Sequence, residues 1–212
     1  MRHIMVINAK GGSGKTTIAT NLASYFASQD KNVAIIDYDP QGSSLDWIAE
    51  RSSAKQPIQG IAGFKRKSEK PQRKTDIVIM DVPAALHGAE LTKLVRKAQT
   101  ILVPVLPSPI DMRAATHFIS ELKKCAPVSQ KKAKLALVAN RAREITNIAW
   151  ELEDFLSKQK IPYLTMLRDS QNYVRAAERG LGIFEMGPAA TAVDRDQWEP
   201  ILKWIKSKRS QP

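Results

Sequence analysis

The sequence predicts an α/β fold, a doubly wound and mostly parallel sheet flanked by helices on both faces. Three observations lead there. Short apolar runs of strand length alternate with helix-period patterns along the 212 residues. The first run, residues 4–7, passes through a glycine-rich turn into a helical pattern that begins near Thr17. Finally, Lys10, Asp37, Asp39, Asp81 and Asn140 all fall at the ends of apolar runs. In open α/β sheets that is where ligands bind, beyond the carboxyl ends of the strands.

The elements follow in order. Strands are expected at 4–7, at 33–36 ending on Asp37, at 77–80 ending on Asp81, at 101–103 ending on Pro104, at 135–139 ending on Asn140, and at 161–164. Residues 43–51 read as a helix, with Leu45, Ile48 and Ala49 on one side. Further helices are expected at 88–98, 110–124, 144–158, 170–179 and 195–208. Ser108 and Asp111 read as caps opening the second of these. In the last, Trp198, Ile201, Leu202 and Ile205 share one face ringed by Lys203, Lys206, Lys208 and Arg209. That stripe is expected to dock on the sheet; the alternative is a basic amphipathic helix lying on a membrane. Residues 52–74, with KRKSEKPQRK at 65–74, read as a basic surface excursion. No internal repeat or low-complexity linker interrupts the pattern, so 1–212 is expected to form a single domain.

Composition narrows the classes of function. A lone cysteine, Cys125, leaves no intramolecular disulfide and no cysteine-built metal cluster within the chain. Cys125, His3, His87 and His117 show no metal or nucleophile spacing. The first residues read as a strand rather than a signal peptide, and no apolar run reaches the roughly 18 residues of a membrane span. A cytoplasmic location is therefore expected. The net charge of +12 suggests an anionic partner, with nucleic acid favoured over membrane.

The chemistry is concentrated in residues 8–17, NAKGGSGKTT. Gly11, Gly12 and Gly14 allow the backbone to turn its N–H groups around phosphate oxygens, and the helix that follows adds the positive end of its dipole. Lys15 can reach the β- and γ-phosphates, and the Thr16 hydroxyl can ligate Mg²⁺. Asp81, after four apolar residues, suits a carboxylate held at the metal through water. The aspartates of Asp37-Tyr38-Asp39 close the second strand, where one could act only as a helix cap. The loop departs from the common G-x-x-x-x-G-K-[ST] pattern, with Ala9 at the first glycine position and Lys10 after it.

This variant, K-G-G-x-G-K-[ST], resembles the deviant Walker A motif of the ParA/MinD ATPases. Asp37-Tyr38-Asp39-Pro40-Gln41 is similar to that family's second nucleotide motif. The resemblance implies a P-loop NTPase using ATP and Mg²⁺. Gly11, Gly12, Ser13, Gly14, Lys15, Thr16 and Thr17 would hold the nucleotide, with Asn140 and Arg141 at the base. Asn140 capping the next helix is the alternative. Lys10, Lys15 and Asp39 would be catalytic, with Asp39 aligning or deprotonating water. Thr16, Asp37 and Asp81 would lie at the metal.

The resemblance also implies a homodimer that sandwiches ATP, with Lys10 crossing to the partner's phosphates; a solvated loop lysine is the plain alternative. Residues 168–185 resemble a ParA segment whose arginines meet DNA without sequence preference. Arg168, Arg175 and Arg179, joined by Lys203 and Lys206, are the candidates, and pairing with a carboxylate such as Glu178 is the competing role. A ParB-like or McdB-like cargo adaptor would stimulate slow intrinsic hydrolysis, and the protein would ride the nucleoid. The cargo would be a plasmid, a chromosome locus or a carboxysome. A membrane-cycling MinD-like ATPase and a P-loop ligase remain as rivals.

Overall fold

The computed structural model describes residues 1–212 and contains one seven-stranded sheet in which every neighbouring pair of strands is parallel. The strands are β1 (Arg2–Val6), β2 (Val33–Asp37), β3 (Ile58–Ala62), β4 (Ile77–Asp81), β5 (Thr100–Val105), β6 (Lys134–Ala142) and β7 (Tyr163–Arg168). Their order is β3-β2-β4-β1-β5-β6-β7. From β1 the chain moves to one side, returns through β4, and crosses to β5 on the other. The reversal opens a crevice beyond the end of β1, where the glycine loop lies.

The helices are α1 (Lys15–Ala27), α2 (Ser43–Ala49), α3 (Gly88–Val95), α4 (Pro109–Lys124), α5 (Ala126–Ser129), α6 (Asn147–Ser157), α7 (Gln171–Ala177) and α8 (Pro188–Lys206). Two buried clusters of similar size, 25 and 23 residues, cover the two faces of the sheet. Central strands buried on both faces need continuous apolar runs rather than alternation, and 33–36 and 77–80 supply them. No helix is long and apolar enough to cross a membrane.

The short α5 is not expected from the sequence, β6 runs on past Asn140, and α3 and α7 end earlier than the pattern suggests; three further differences have a clear cause. β3 lies inside the 52–74 stretch, where an edge strand buries Ile58 and Ile61 and leaves Gly60 exposed, so its apolar pattern is sparse. β7 begins after Pro162 rather than at 161. α8 starts seven residues early, because Pro188 fits the first turn of a helix. Its apolar stripe docks as expected: Trp198, Ile201 and Ile205 are fully buried and Leu202 nearly so. Ser108 caps α4, accepting from the Asp111 N–H.

One buried ion pair ties α2 to the turn before α8. Arg51 donates through both terminal nitrogens to Glu185, at 2.8 and 2.6 Å, with both side chains almost fully buried. Arg51 also donates to Gly180 O, and Glu185 accepts from the Gly182 N–H. Glu185→Ala would leave the guanidinium buried without its partner. We expect unfolding in urea to show a loss of about 3–5 kcal/mol; a loss under about 1 kcal/mol would mean that water reaches the pair.

Candidate functional site

The loop between β1 and α1 is held from both sides. Asn8 Nδ2 donates to Pro104 O of β5 at 2.5 Å, and Asn8 Oδ1 accepts from the Lys10 N–H. Gly12 and Gly14 take left-handed backbone angles, φ 73 and 85, which a side chain would strain. At Gly14 space matters as well, because a Cβ there would stand 2.1 Å from Asn140 Nδ2. The first backbone bond of α1 is Ile18 N–H to Gly14 O. The amides of Lys15, Thr16 and Thr17 therefore lack helical acceptors and suit an anion.

A cavity of about 610 Å³ opens above this loop. Gly11, Gly12, Gly14, Lys15, Thr16, Thr17, Asp39, Asp81, Asn140 and Arg141, ten residues singled out from the sequence, line it together. The volume is in the range of small-molecule sites. Ser13 is fully buried and turns away, its hydroxyl donating to Lys10 O. Lys15 Nζ also donates to Lys10 O, at 3.0 Å. Burial lowers the Lys15 pKa, while Asp81 and Asp39 oppose the shift. With phosphate bound, that ammonium would regain an anionic partner.

Asp81 is the most perturbed carboxyl of the site. Burial raises its pKa to about 7; the Thr16 hydroxyl and the Lys15 charge pull it down, and the Asp37 charge pushes it further up. The Thr16 hydroxyl and the Asp81 carboxylate are hard oxygen donors beside a phosphate loop, so the site fits Mg²⁺. Asp37, also expected at the metal, is not part of the cavity lining and is hydrogen-bonded at both carboxylate oxygens. Its Oδ1 accepts from the Asp39 N–H and its Oδ2 from the Ser44 N–H and hydroxyl, at 2.9, 3.1 and 2.7 Å. It is fully buried and organises the turn that presents Asp39 and starts α2. Ser44 drew no attention in the sequence, and only its position seven residues after Asp37 hints at the contact.

Asn140 does not cap a helix: it lies within β6, is buried, lines the cavity and donates from Nδ2 to Ser13 O at 2.9 Å. Arg141, at φ 52, is exposed and lies 3.3 Å from Asp169. Lys10 is half-exposed, its ammonium 3.9 Å from Asp111.

The five basic residues expected at DNA do not come together. Arg168 is held by Asp194, which is fully buried, through contacts of 2.7 and 3.2 Å. The carboxylate that claims it comes from α8, not from Glu178. Arg175 and Arg179 are exposed on and just after α7, whose Tyr173, Val174 and Ala177 line the cavity. Lys203 and Lys206 lie toward the opposite, amino-terminal end of the strands, where Arg2 at the start of β1 meets Ile205 O. Lys206 also bonds the Tyr25 hydroxyl and sits 4.9 Å over its ring.

Comparison with known proteins agrees with this geometry. The model of the CobQ/CobB/MinD/ParA nucleotide binding domain matches residues 4–183. Maintenance of carboxysome distribution protein A from Halothiobacillus neapolitanus is 31% identical over 190 residues, covering 87% of each chain. The chromosome-partitioning ATPase Soj of Thermus thermophilus is 29% identical over 137 residues, 50% of this chain and 55% of that protein. Among solved structures, the ATP complex of a Cyanothece McdA variant superposes with a TM-score of 0.72 at 16% identity, covering 97% of this chain and 95% of that one. A Borrelia burgdorferi plasmid partition protein bound to AMPPNP gives 0.73 at 16% identity, covering 95% and 98%. At that identity the superpositions speak for the fold.

Two outcomes test the site. Gly14→Ala should lower nucleotide affinity at least about tenfold, through the strained φ and the collision with Asn140. Adding Asn140→Ala should restore only part of it, as isothermal titration would record. Arg168→Gln should lower stability by about 3 kcal/mol or more, because Asp194 is left buried and unpaired. The Asp194 pKa is lowered in the folded chain, its hydrogen bonds and the Arg168 charge outweighing burial. The pair's contribution is therefore complete above the unfolded carboxyl value near pH 4 and fades as the pH falls below it. Urea midpoints across that range should converge for wild type and variant.

Proposed function

The chain belongs to the CobQ/CobB/MinD/ParA nucleotide-binding family, and from that premise we propose that it is a ParA-type positioning ATPase. ATP binds in the glycine loop, and two subunits close with each Lys10 reaching the phosphates held by the other. The closed dimer holds DNA without sequence preference. An adaptor on the cargo stimulates hydrolysis, the dimer opens and DNA is released. Residues 1–212 act as one domain on one sheet, cytoplasmic and carried on the nucleoid.

The observation that carries this reading is the half-exposed Lys10 on a loop whose other lysine is already buried at the phosphate site. A self-contained P-loop enzyme needs one such lysine. The resemblance over 87% of a carboxysome distribution protein supports a carboxysome as cargo, and Soj supports a chromosome locus. The stripe of α8 that a membrane-cycling relative would need is buried, which favours DNA over lipid.

Phosphoryl transfer is carried mostly by positioning and charge stabilisation. Lys15 and the amides of α1 bind the β- and γ-phosphates. Asp39, half-buried on the turn fixed by Asp37, aligns the attacking water and can take its proton. Thr16 and Asp81 would hold Mg²⁺, which when bound neutralises phosphate charge. Asn140 keeps the loop in shape.

Asp39→Ala should slow ATP hydrolysis by about 10²-fold or more, the usual weight of a positioned base, while ATP binding survives. Phosphate release gives the rate, and filter binding with random duplex DNA gives the second readout. We expect salt-sensitive DNA binding with ATP and little with ADP. An ATP-bound variant that hydrolyses like wild type would remove Asp39 from the water. DNA binding equal in ATP and ADP would remove the nucleotide switch.

A further inference from the structure

The densest positive charge on the molecule lies on neither α7 nor α8. Between 65 and 74, six of ten residues are Lys or Arg and only Glu69 opposes them. All six cations are exposed. The segment is fastened rather than loose. Gln59 on edge strand β3 donates from Nε2 to Lys70 O, and its Oε1 accepts from the Gln72 N–H. The Lys65 N–H donates to Ala62 O, continuing the turn out of β3.

A groove of about 450 Å³ beside the segment is lined by Ser68, Glu69 and Lys97 together. Lys97 is steered there by Tyr38, its ammonium 3.3 Å from the hydroxyl and 5.0 Å over the ring. Lys93 and Arg96, on the same helix end, are exposed as well. None of these cations has a carboxylate within 4.0 Å, whereas Arg51, Arg141, Lys158 and Arg168 elsewhere are all paired. A strip of unpaired cations on a backbone pinned to the sheet is the electrostatic footprint of a polyanion site.

We infer that this strip, made by 65–74 and the end of α3, is the chain's principal contact with the phosphate backbone of duplex DNA. The inference rests on the DNA-binding reading above and moves its surface away from 168–179. Duplex DNA is favoured over an anionic bilayer because apolar side chains that could enter a bilayer are nearly missing. Phe64 is the large hydrophobic exposed beside the strip, at 38%, and the apolar face of α3, Leu91 and Val95, is already buried in the core. Contacts to phosphates carry no sequence information, so binding through this strip is independent of sequence. The strip is also joined to the nucleotide site. α3 follows Asp81 through a short loop in which the Ala85 N–H donates to Ala9 O of the phosphate loop.

The test uses the full chain with ATP, fluorescence anisotropy on a random-sequence duplex over a salt series, and the exposed triple variant Lys65→Gln/Arg66→Gln/Lys67→Gln. Arg175→Gln/Arg179→Gln is run beside it, with ATP affinity and melting temperature as controls on folding. We expect the triple variant to bind DNA at least about tenfold more weakly. The slope of log K against log salt should shrink by about 2–3, since each phosphate contact contributes about 0.9. The α7 pair should change less. Lys93→Gln/Arg96→Gln, on a separate element, should reproduce the direction of the effect. Wild type binding DNA while both strip variants match it would overturn the inference and leave the DNA-binding reading standing. Wild type failing to bind DNA in any nucleotide state would overturn both. Tighter binding of phosphatidylserine vesicles than of DNA, lost in the triple variant, would assign the strip to a membrane instead.

Discussion

Three ionisable side chains, Lys15, Asp37 and Asp81, are buried together where β2 and β4 end and α1 begins, and the rest of the site is arranged around that burial. A charge removed from water needs a partner. Asp37 has one in the Ser44 hydroxyl and two backbone N–H groups, so it works as a structural anion that fixes the turn carrying Asp39. Lys15 rests on a backbone carbonyl, and Asp81 is held near pH 7 by burial. The last two are the incompletely compensated members. A phosphate and its counter-ion supply what each lacks, so binding energy and correct loop shape are linked.

How much of this was legible in the sequence depends on how local each signal is. The glycine loop, Asp39 and Asp81 were readable because their chemistry needs fixed residue types at strand ends. The central strands were readable because burial on both faces demands unbroken apolar runs. β3 was hidden because an edge strand covered on one side needs only Ile58 and Ile61. The pairing of Arg168 with Asp194 spans 26 residues, and nothing in the spacing announces it. Asp37 and Asn140 show the same limit: their positions were evident, but their acceptors and donors come from Ser44, Asp39 and Ser13 through the fold.

The same contrast separates structural from functional charge on this basic chain. Arg51 and Arg168 are enclosed by carboxylates and hold elements together. Lys10, half-exposed and 3.9 Å from Asp111, and the exposed cations of 65–74 stand at places where the backbone is well fixed. An exposed charge on a rigid support loses little entropy when it meets a partner, which suits it to recognition. Lys10 is the residue on which the proposed cycle turns, because a lysine acting across an interface makes ATP itself part of the contact between subunits.

The most direct measurement is therefore molar mass by light scattering, for wild type and Lys10→Ala, in ATP and Mg²⁺ or in ADP. We expect wild type to be dimeric with ATP and monomeric with ADP, and Lys10→Ala to bind ATP yet stay monomeric in both. A Lys10→Ala protein that dimerises with ATP as wild type does, or a wild type that binds ATP and remains a monomer, would contradict the account.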